Sequence, residues 1–185
     1  MPKQIVTKEE VIANLVSCFR EYGYEGTSLS KLAELTGLSK ASLYHYFKNG
    51  KDEMVLTAFA YLNKAITEQL YDLADSDMDA SKKFDRLLKA MTELYEGGAK
   101  NCVVGIFNSA GANGIFQKGL EEITELMTKS IARSLEDLCY SKKEAQKEAE
   151  FIFIQIQGAL VVARAKNDNK VFTDTMKRIK KTVLD

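Results

Sequence analysis

The chain has 185 residues, with 26 Lys plus Arg against 26 Asp plus Glu, so its formal net charge is zero. A chain of this length buries about 70% of the surface its unfolded form exposes, enough for a sizeable core in one or two domains. The charge balance excludes nucleic-acid binding driven by a global basic excess, so any such activity must rest on a local patch.

The pattern is helical nearly throughout, since the single proline is Pro2 and glycines mark the joints. A first helix is predicted from Thr7, whose Thr-Lys-Glu-Glu run forms a capping box with Glu10, through Ile12, Leu15, Val16 and Phe19 to a stop at Gly23. Thr27 and Ser28 then cap a short helix that turns Leu29, Leu32, Ala33 and Leu35 toward an interior face. Gly37 sits where the backbone needs a left-handed residue, Leu38 plugs the angle between two helices, and Ser39 caps the next helix, Lys40 to about Phe47. Leu43 and Phe47, four apart, share its inner face. Lys40, Ala41, Ser42, Tyr44, His45 and Tyr46 are left to its other faces. Small Ala41 and Ser42 let a backbone approach base edges, while Lys40, Tyr44 and His45 offer donors to phosphates or bases.

A fourth helix is predicted from Lys51 to about Leu73, with Met54, Phe59, Leu62, Ile66 and Leu70 along a connecting rod. A fifth runs from about Asp79 to Glu96 and ends at Gly97 and Gly98; a short helix follows at 103–110, then a glycine joint at 111–114. A long helix at 115–138 carries Phe116, Leu120, Ile123, Met127, Ile131 and Leu135 at helical spacing. The last two helices are 142–166 and 171–183. Within the first of these, Phe151, Ile152, Phe153, Ile154, Ile156, Leu160, Val161 and Val162 cover most of the circumference. Such a helix is expected to be buried on nearly all sides, by its own core and by a second subunit, which predicts a homodimer.

Between Lys31 and Lys51 stand four lysines (31, 40, 48, 51) against one acid, Glu34, so the region around the glycine turn is cationic inside a neutral protein. Two short helices meeting at a glycine turn, the second crowded with polar and aromatic donors, spell a helix-turn-helix DNA reader. The segment resembles the DNA-binding domain of the TetR family of bacterial transcriptional regulators, whose recognition helix ends in Tyr-x-x-Phe, here Tyr44-His45-Tyr46-Phe47. The likeness runs from near Thr7 to near Met54; the remainder matches in architecture only. Two departures stand out. The turn after Phe47 is Lys48-Asn49-Gly50-Lys51, one residue longer than the usual Pro-Ser-Lys, and Ala41 replaces a common glycine.

The resemblance implies an all-α fold, with a DNA-binding domain at 1–52 and a helical-bundle ligand-binding and dimerisation domain at 53–185. It implies a homodimer paired through the last two helices, a near-palindromic double-stranded operator, and a small-molecule effector that releases a repressor. The DNA-contact set is then Thr27, Ser28, Ser39, Lys40, Ala41, Ser42, Tyr44, His45, Tyr46 and Lys51. By position, Phe84, Leu88, Met91, Tyr95, Cys102, Phe107, Phe116, Met127, Phe151, Gln155 and Gly158 are candidates to line an effector cavity. Gln155, a glutamine inside an apolar helix, needs a polar partner.

Two alternatives stand beside that reading. One is a thiol sensor of electrophiles or oxidants using Cys102, at the start of a short helix with Lys100 nearby; the other is a DNA-binding interaction protein without a ligand. An enzyme is not expected: His45 is the one histidine, and no nucleophile, paired carboxylates or phosphate loop stands at a recognisable spacing around it. Cys18, Cys102 and Cys139 are odd in number and lack metal-ligand spacing, which predicts a reducing cytoplasm with no disulfide framework, zinc site or other cofactor. The N-terminus lacks a signal-peptide core, and the apolar run from Phe151 to Ala163 is too short for a bilayer and carries two glutamines. The protein is therefore expected to be soluble and cytoplasmic, with no membrane partner.

Overall fold

Local capping chemistry starts most of the helices where the sequence places them. In the computed structural model, which describes residues 6–71, 78–109, 114 and 116–185, Thr7 caps α1 (Lys8–Gly26): its hydroxyl accepts the Glu10 N–H at 3.2 Å and the Glu10 carboxylate accepts the Thr7 N–H at 2.7 Å. Ser28 caps α2 (Leu29–Thr36), Ser39 caps α3 (Lys40–Tyr46), and Asp79 caps α5 (Ala80–Leu94). A second capping box, Ser141 with Glu144, opens α8 (Lys142–Lys166). With α4 (Lys51–Ile66), α6 (Val103–Ser109), α7 (Gln117–Asp137) and α9 (Lys170–Leu184), the described residues form nine α-helices and no strand.

The helices gather into two compact units. The first comprises residues up to Lys64 together with Val103–Ile123; the second comprises Ala65–Cys102 together with Thr124–Asp185. This division differs from the 1–52 and 53–185 boundary read from the sequence, because α6 and the first turns of α7 share a core with the glycine-turn helices. In the first unit Leu15, Phe19, Leu32, Leu43, Phe47, Met54, Val55, Phe59, Phe107 and Phe116 are all buried. In the second, Phe84, Leu88, Met91, Tyr95, Met127, Ile131, Leu135, Ile156, Phe172 and Ile179 are buried, and Tyr95 meets Phe172 edge-to-face at 5.9 Å.

Four expectations change. The connecting helix stops at Ile66 and passes into a π-helical turn, Thr67–Tyr71, while Leu73 lies outside the described residues, as do 110 of the short helix, 111–113 of the joint and 115 of the helix that follows it. The first helix is broken at Gly23 (φ 66°, ψ −171°) but resumes to Gly26, and a Cβ at Gly23 would stand 3.0 Å from Ile106 Cγ2. Leu35 is exposed, and Thr36 is buried on α2 in its place, its hydroxyl donating to the Leu32 carbonyl at 2.6 Å. Finally, α8 is not buried all round: Ile152, Phe153, Ile156 and Leu160 are covered, whereas Phe151, Ile154, Val161 and Val162 are 42–66% exposed. Leaving such half-exposed side chains partly in water forgoes about 1–1.5 kcal/mol each, roughly half of what full burial gives.

Ion pairs tie α5 to its neighbours in the second unit. Asp85 accepts from Lys180 of α9 at 2.5 Å and from Lys89 at 3.0 Å, and Lys83 meets Asp137 of α7 at 3.2 Å. The hydrogen bond from Lys180, then that from Lys89, hold the Asp85 carboxyl below the ordinary Asp range. A lowered folded-state pKa contributes stability above the unfolded value and loses it as pH falls through the folded one. Asp85→Asn should therefore be less stable than the parent by about 0.5–1 kcal/mol at neutral pH. The deficit should shrink to nothing in acid, as read by urea unfolding from neutral pH to below the Asp range; a constant deficit would assign the loss to packing instead.

Candidate nucleic-acid interface

The glycine turn is built from backbone and short side chains. At the end of α2, Gly37 takes the left-handed conformation (φ 69°, ψ 7°), and the Thr36 hydroxyl accepts the Leu38 N–H at 3.4 Å. Ser39 then accepts the Ser42 N–H at 3.0 Å, and the two serine hydroxyls lie 2.8 Å apart. Leu43 and Phe47 bury the inner face of α3 as predicted. Lys40, Ala41, Tyr44, His45 and Tyr46 point outward and Ser42 is half-buried, with Tyr44 49% and Tyr46 52% exposed. His45 and Tyr46 meet edge-on with ring centroids 6.2 Å apart. After α3 the turn closes through the Gly50 N–H to the Phe47 carbonyl at 3.0 Å and the Asn49 N–H to the Glu53 carboxylate at 2.8 Å.

The exposed side of α3 thus brings together Ser39, Lys40, Ala41, Ser42, Tyr44, His45 and Tyr46 of the expected contact set. Ser28 lies exposed at the start of α2, accepting the Lys31 N–H at 3.2 Å. Two members need correction. The Thr27 hydroxyl is fully buried, donating to the Gly23 carbonyl at 2.6 Å and accepting from the Cys18 thiol at 3.8 Å, so it braces the α1–α2 corner from within. Burial pushes that Cys18 thiol up from its ordinary pKa. Lys51 is half-buried, and its ammonium donates to the carbonyls of Tyr24 at 2.9 Å and Thr27 at 3.2 Å, capping the end of α1 where the sequence suggested a phosphate contact.

Lys31 is also engaged, its Nζ standing 3.4 Å from the Tyr22 ring centroid. Of the four lysines that make this region cationic, Lys40 and Lys48 remain extended into solvent. Sequence reasoning missed one partner altogether, the Tyr24 hydroxyl, which donates to the Asp52 carboxylate. No local signal links residues that far apart.

The residues expected to line an effector cavity are divided between the two units. Phe84, Leu88, Met91, Tyr95 and Met127 sit in the core of the second unit and Phe107 and Phe116 in that of the first. Phe151 and Gly158 face outward from α8 and Gln155 is half-buried; Phe151 and Gln155 line a surface groove of about 480 Å³ between α8 and α9, with Thr175, Arg178 and Ile179. These three leave the cavity set, because they lie on an outer face. Cys102 is buried, and Lys100, the cation expected to activate it, pairs with Glu96 at 3.6 Å. Among the described residues no group of His, Cys, Asp or Glu is placed to hold a metal ion, and no helix is long and apolar enough to cross a membrane.

A capped helix, a left-handed glycine and a second helix with an apolar inner face and a polar outer one define a helix-turn-helix unit of the kind that reads DNA. Residues 11–58 match the profile of bacterial regulatory proteins, tetR family. Over 168 residues the chain is 24% identical to an uncharacterized HTH-type transcriptional regulator, YxaF, of Bacillus subtilis, covering 88% of this chain and 87% of that one. Over 62 residues it is 39% identical to IcaR of Staphylococcus aureus, the negative transcriptional regulator of the biofilm operon icaADBC, covering 32% of this chain and 33% of that one. The fold matches a crystal structure of a TetR transcriptional regulator from Legionella pneumophila with a TM-score of 0.85 at 22% identity, over 95% of this chain and 96% of that one. Residues 11–58 therefore carry a DNA-binding domain of the tetR type, and the chain as a whole shares the fold of TetR transcriptional regulators.

The Lys51 geometry is directly testable. Lys51→Met should cost about 1–2 kcal/mol in unfolding free energy, by leaving carbonyls of α1 without their donor. The salt dependence of DNA binding should not change, whereas a slope reduced by about one would return Lys51 to the phosphate contacts.

Proposed function

We propose that the protein is a homodimeric repressor that occupies a near-palindromic operator and is released by a small-molecule effector, working in the cytoplasm. The observation that carries the reading is the outward face of α3, where Lys40, Ala41, Tyr44, His45 and Tyr46 stand clear beside the half-buried Ser42, while Leu43 and Phe47 fix the helix from behind. Ser28, Ser39 and Lys48 flank that face and serve phosphates; Ala41 and Ser42 allow close approach to base edges. IcaR, a negative regulator 39% identical over 62 residues, supports repression as the sign of control. In roles, residues 1–52 read DNA while 53–185 dimerise and sense, with the effector taken among Phe84, Leu88, Met91, Tyr95 and Met127.

The unpartnered apolar stripe on α8 supports the dimer. Phe151, Ile154, Val161 and Val162 recur at helical spacing on one side, and Gly158 lies among them with no atom within 4 Å of where a Cβ would be. A two-fold partner laid along α8 and α9 covers that stripe, and the glycine admits a close crossing of the two copies of α8. Pairing of this kind sets two recognition helices about 34–36 Å apart, one turn of B-DNA.

Selection of bound fragments from a random DNA pool by the purified protein should recover an inverted repeat; a recovered single half-site would remove the dimer from the reading. On that operator, Lys40→Ala should reduce the salt slope by about one per protomer. The double variant Ile154→Glu, Val161→Glu should sediment as a monomer and lose operator affinity by at least about 100-fold, since each half-site then binds alone. A variant that stays dimeric would place the interface elsewhere.

A further inference from the structure

One side chain in the first unit joins three elements distant in sequence. Tyr24 lies just beyond the Gly23 break in α1. Its backbone carbonyl accepts from Lys51 Nζ at 2.9 Å, and that same ammonium stands 3.9 Å from its ring centroid. Its hydroxyl donates to Asp52, and its ring packs on Phe116 with centroids 5.1 Å apart. The bond to Asp52, helped by partial burial, pushes the phenol up to about 12, so the hydroxyl remains a donor at any working pH.

Phe116 is itself held by other rings. It meets Phe107 at 5.8 Å and Phe59 at 6.2 Å, and Phe107 meets Phe59 at 5.1 Å and Phe19 at 6.1 Å, all edge-to-face. Phe59 reaches this cluster over Gly119, where a Cβ would stand 2.5 Å from the ring. The rings come from α1, α4, α6 and the residue leading into α7, and Tyr24 is where the cluster touches the first turn of α4.

We propose that Tyr24 is a positioning residue for DNA recognition: held by Phe116 on one side and by Lys51 and Asp52 on the other, it fixes the start of α4 against the end of α1 and so sets the angle at which α3 is presented. The turn after α3 is bonded forward into α4, through Asn49 to Glu53 and through the Gly50 carbonyl, which accepts the Met54 N–H at 3.3 Å. A displacement of the first turn of α4 therefore carries α3 with it. Tyr24 acts through α4, not by touching DNA. The inference rests on the DNA-reading role of α3 and adds a route by which the position of 103–123 reaches it.

The test compares the parent chain with Tyr24→Phe, Phe116→Leu and their double variant on the selected operator and on a random duplex of equal length. Tyr24→Phe should weaken operator binding about tenfold, the effect of losing one hydrogen bond to a charged group. Random-duplex affinity and salt slope should stay as they were, and the melting temperature should fall by no more than about 6 °C, the cost of the same bond to folding. Phe116→Leu should act in the same direction, with the double variant losing less than the sum of the singles. Asp52→Asn, which keeps an acceptor oxygen, should retain most of the affinity. Equal losses on both DNAs, or losses that track stability, would overturn the proposal and leave Tyr24 as packing. In the DNA-free protein, amide exchange over 47–54 should quicken in both single variants, and unchanged exchange there would also overturn it. Failure of the parent chain to select any operator would count instead against the DNA-reading role, while the exchange result would still judge the linkage.

Discussion

Seven residues cannot hold a helix against water, because nucleation costs more than so few backbone hydrogen bonds offset. Everything that α3 does therefore depends on burying Leu43 and Phe47 against the rest of its unit, with Ser39 supplying the first turn with an acceptor. This constraint divides the helix: the two residues that hold it are turned inward, and all the others except the half-buried Ser42 are exposed by the same geometry. The burial that makes the helix stable also orients it.

The unit that holds α3 extends well beyond the glycine-turn helices. Phe107 and Phe116, more than fifty residues downstream, contribute rings to the core that contains Phe19 and Phe59. A packed core transmits displacement, since side chains at close-packed density have little room to yield independently. Segment 103–123 is thus mechanically part of the unit that holds α3, whatever its distance along the chain.

Much of this was legible in the sequence where the determining physics is local. Thr7 with Glu10, Ser39, Asp79, Ser141 with Glu144 and Gly37 mark helix ends through contacts a few residues long, and each appears where those residue types predict it. The apolar positions Phe116 to Leu135 fall on one buried face because helical spacing alone decides it. Leu35 misled because a count of apolar residues in a short helix does not fix the buried arc: it turns about 60° away from Leu32, and the polar Thr36 is accommodated by bonding back to its own helix. Lys51 misled for a different reason. A lysine in a cationic stretch looks the same whether it meets a phosphate or the carbonyl end of a helix some two dozen residues earlier. The link from Tyr24 to Asp52 and the sharing of rings between 103–123 and α1 are long-range pairings with no trace in spacing. On α8, apolar residues all round the helix implied full cover, yet one chain supplies cover for half of it.

The engagement of Lys31 with Tyr22 and of Lys51 with the end of α1 has a consequence for how the protein travels. Sequence-independent attraction to DNA scales with the number of phosphates that cations neutralise, and it sets how long a regulator lingers at each wrong site. With Lys51 held by the end of α1 and Lys31 resting on the Tyr22 ring, the proposed reader would grip random duplex weakly, in a protein with no net charge to compensate. Residence then falls to hydrogen bonds and shape at the correct sequence. On the proposed DNA-reading role, such a protein would search the chromosome by brief encounters and frequent release, with little prolonged sliding.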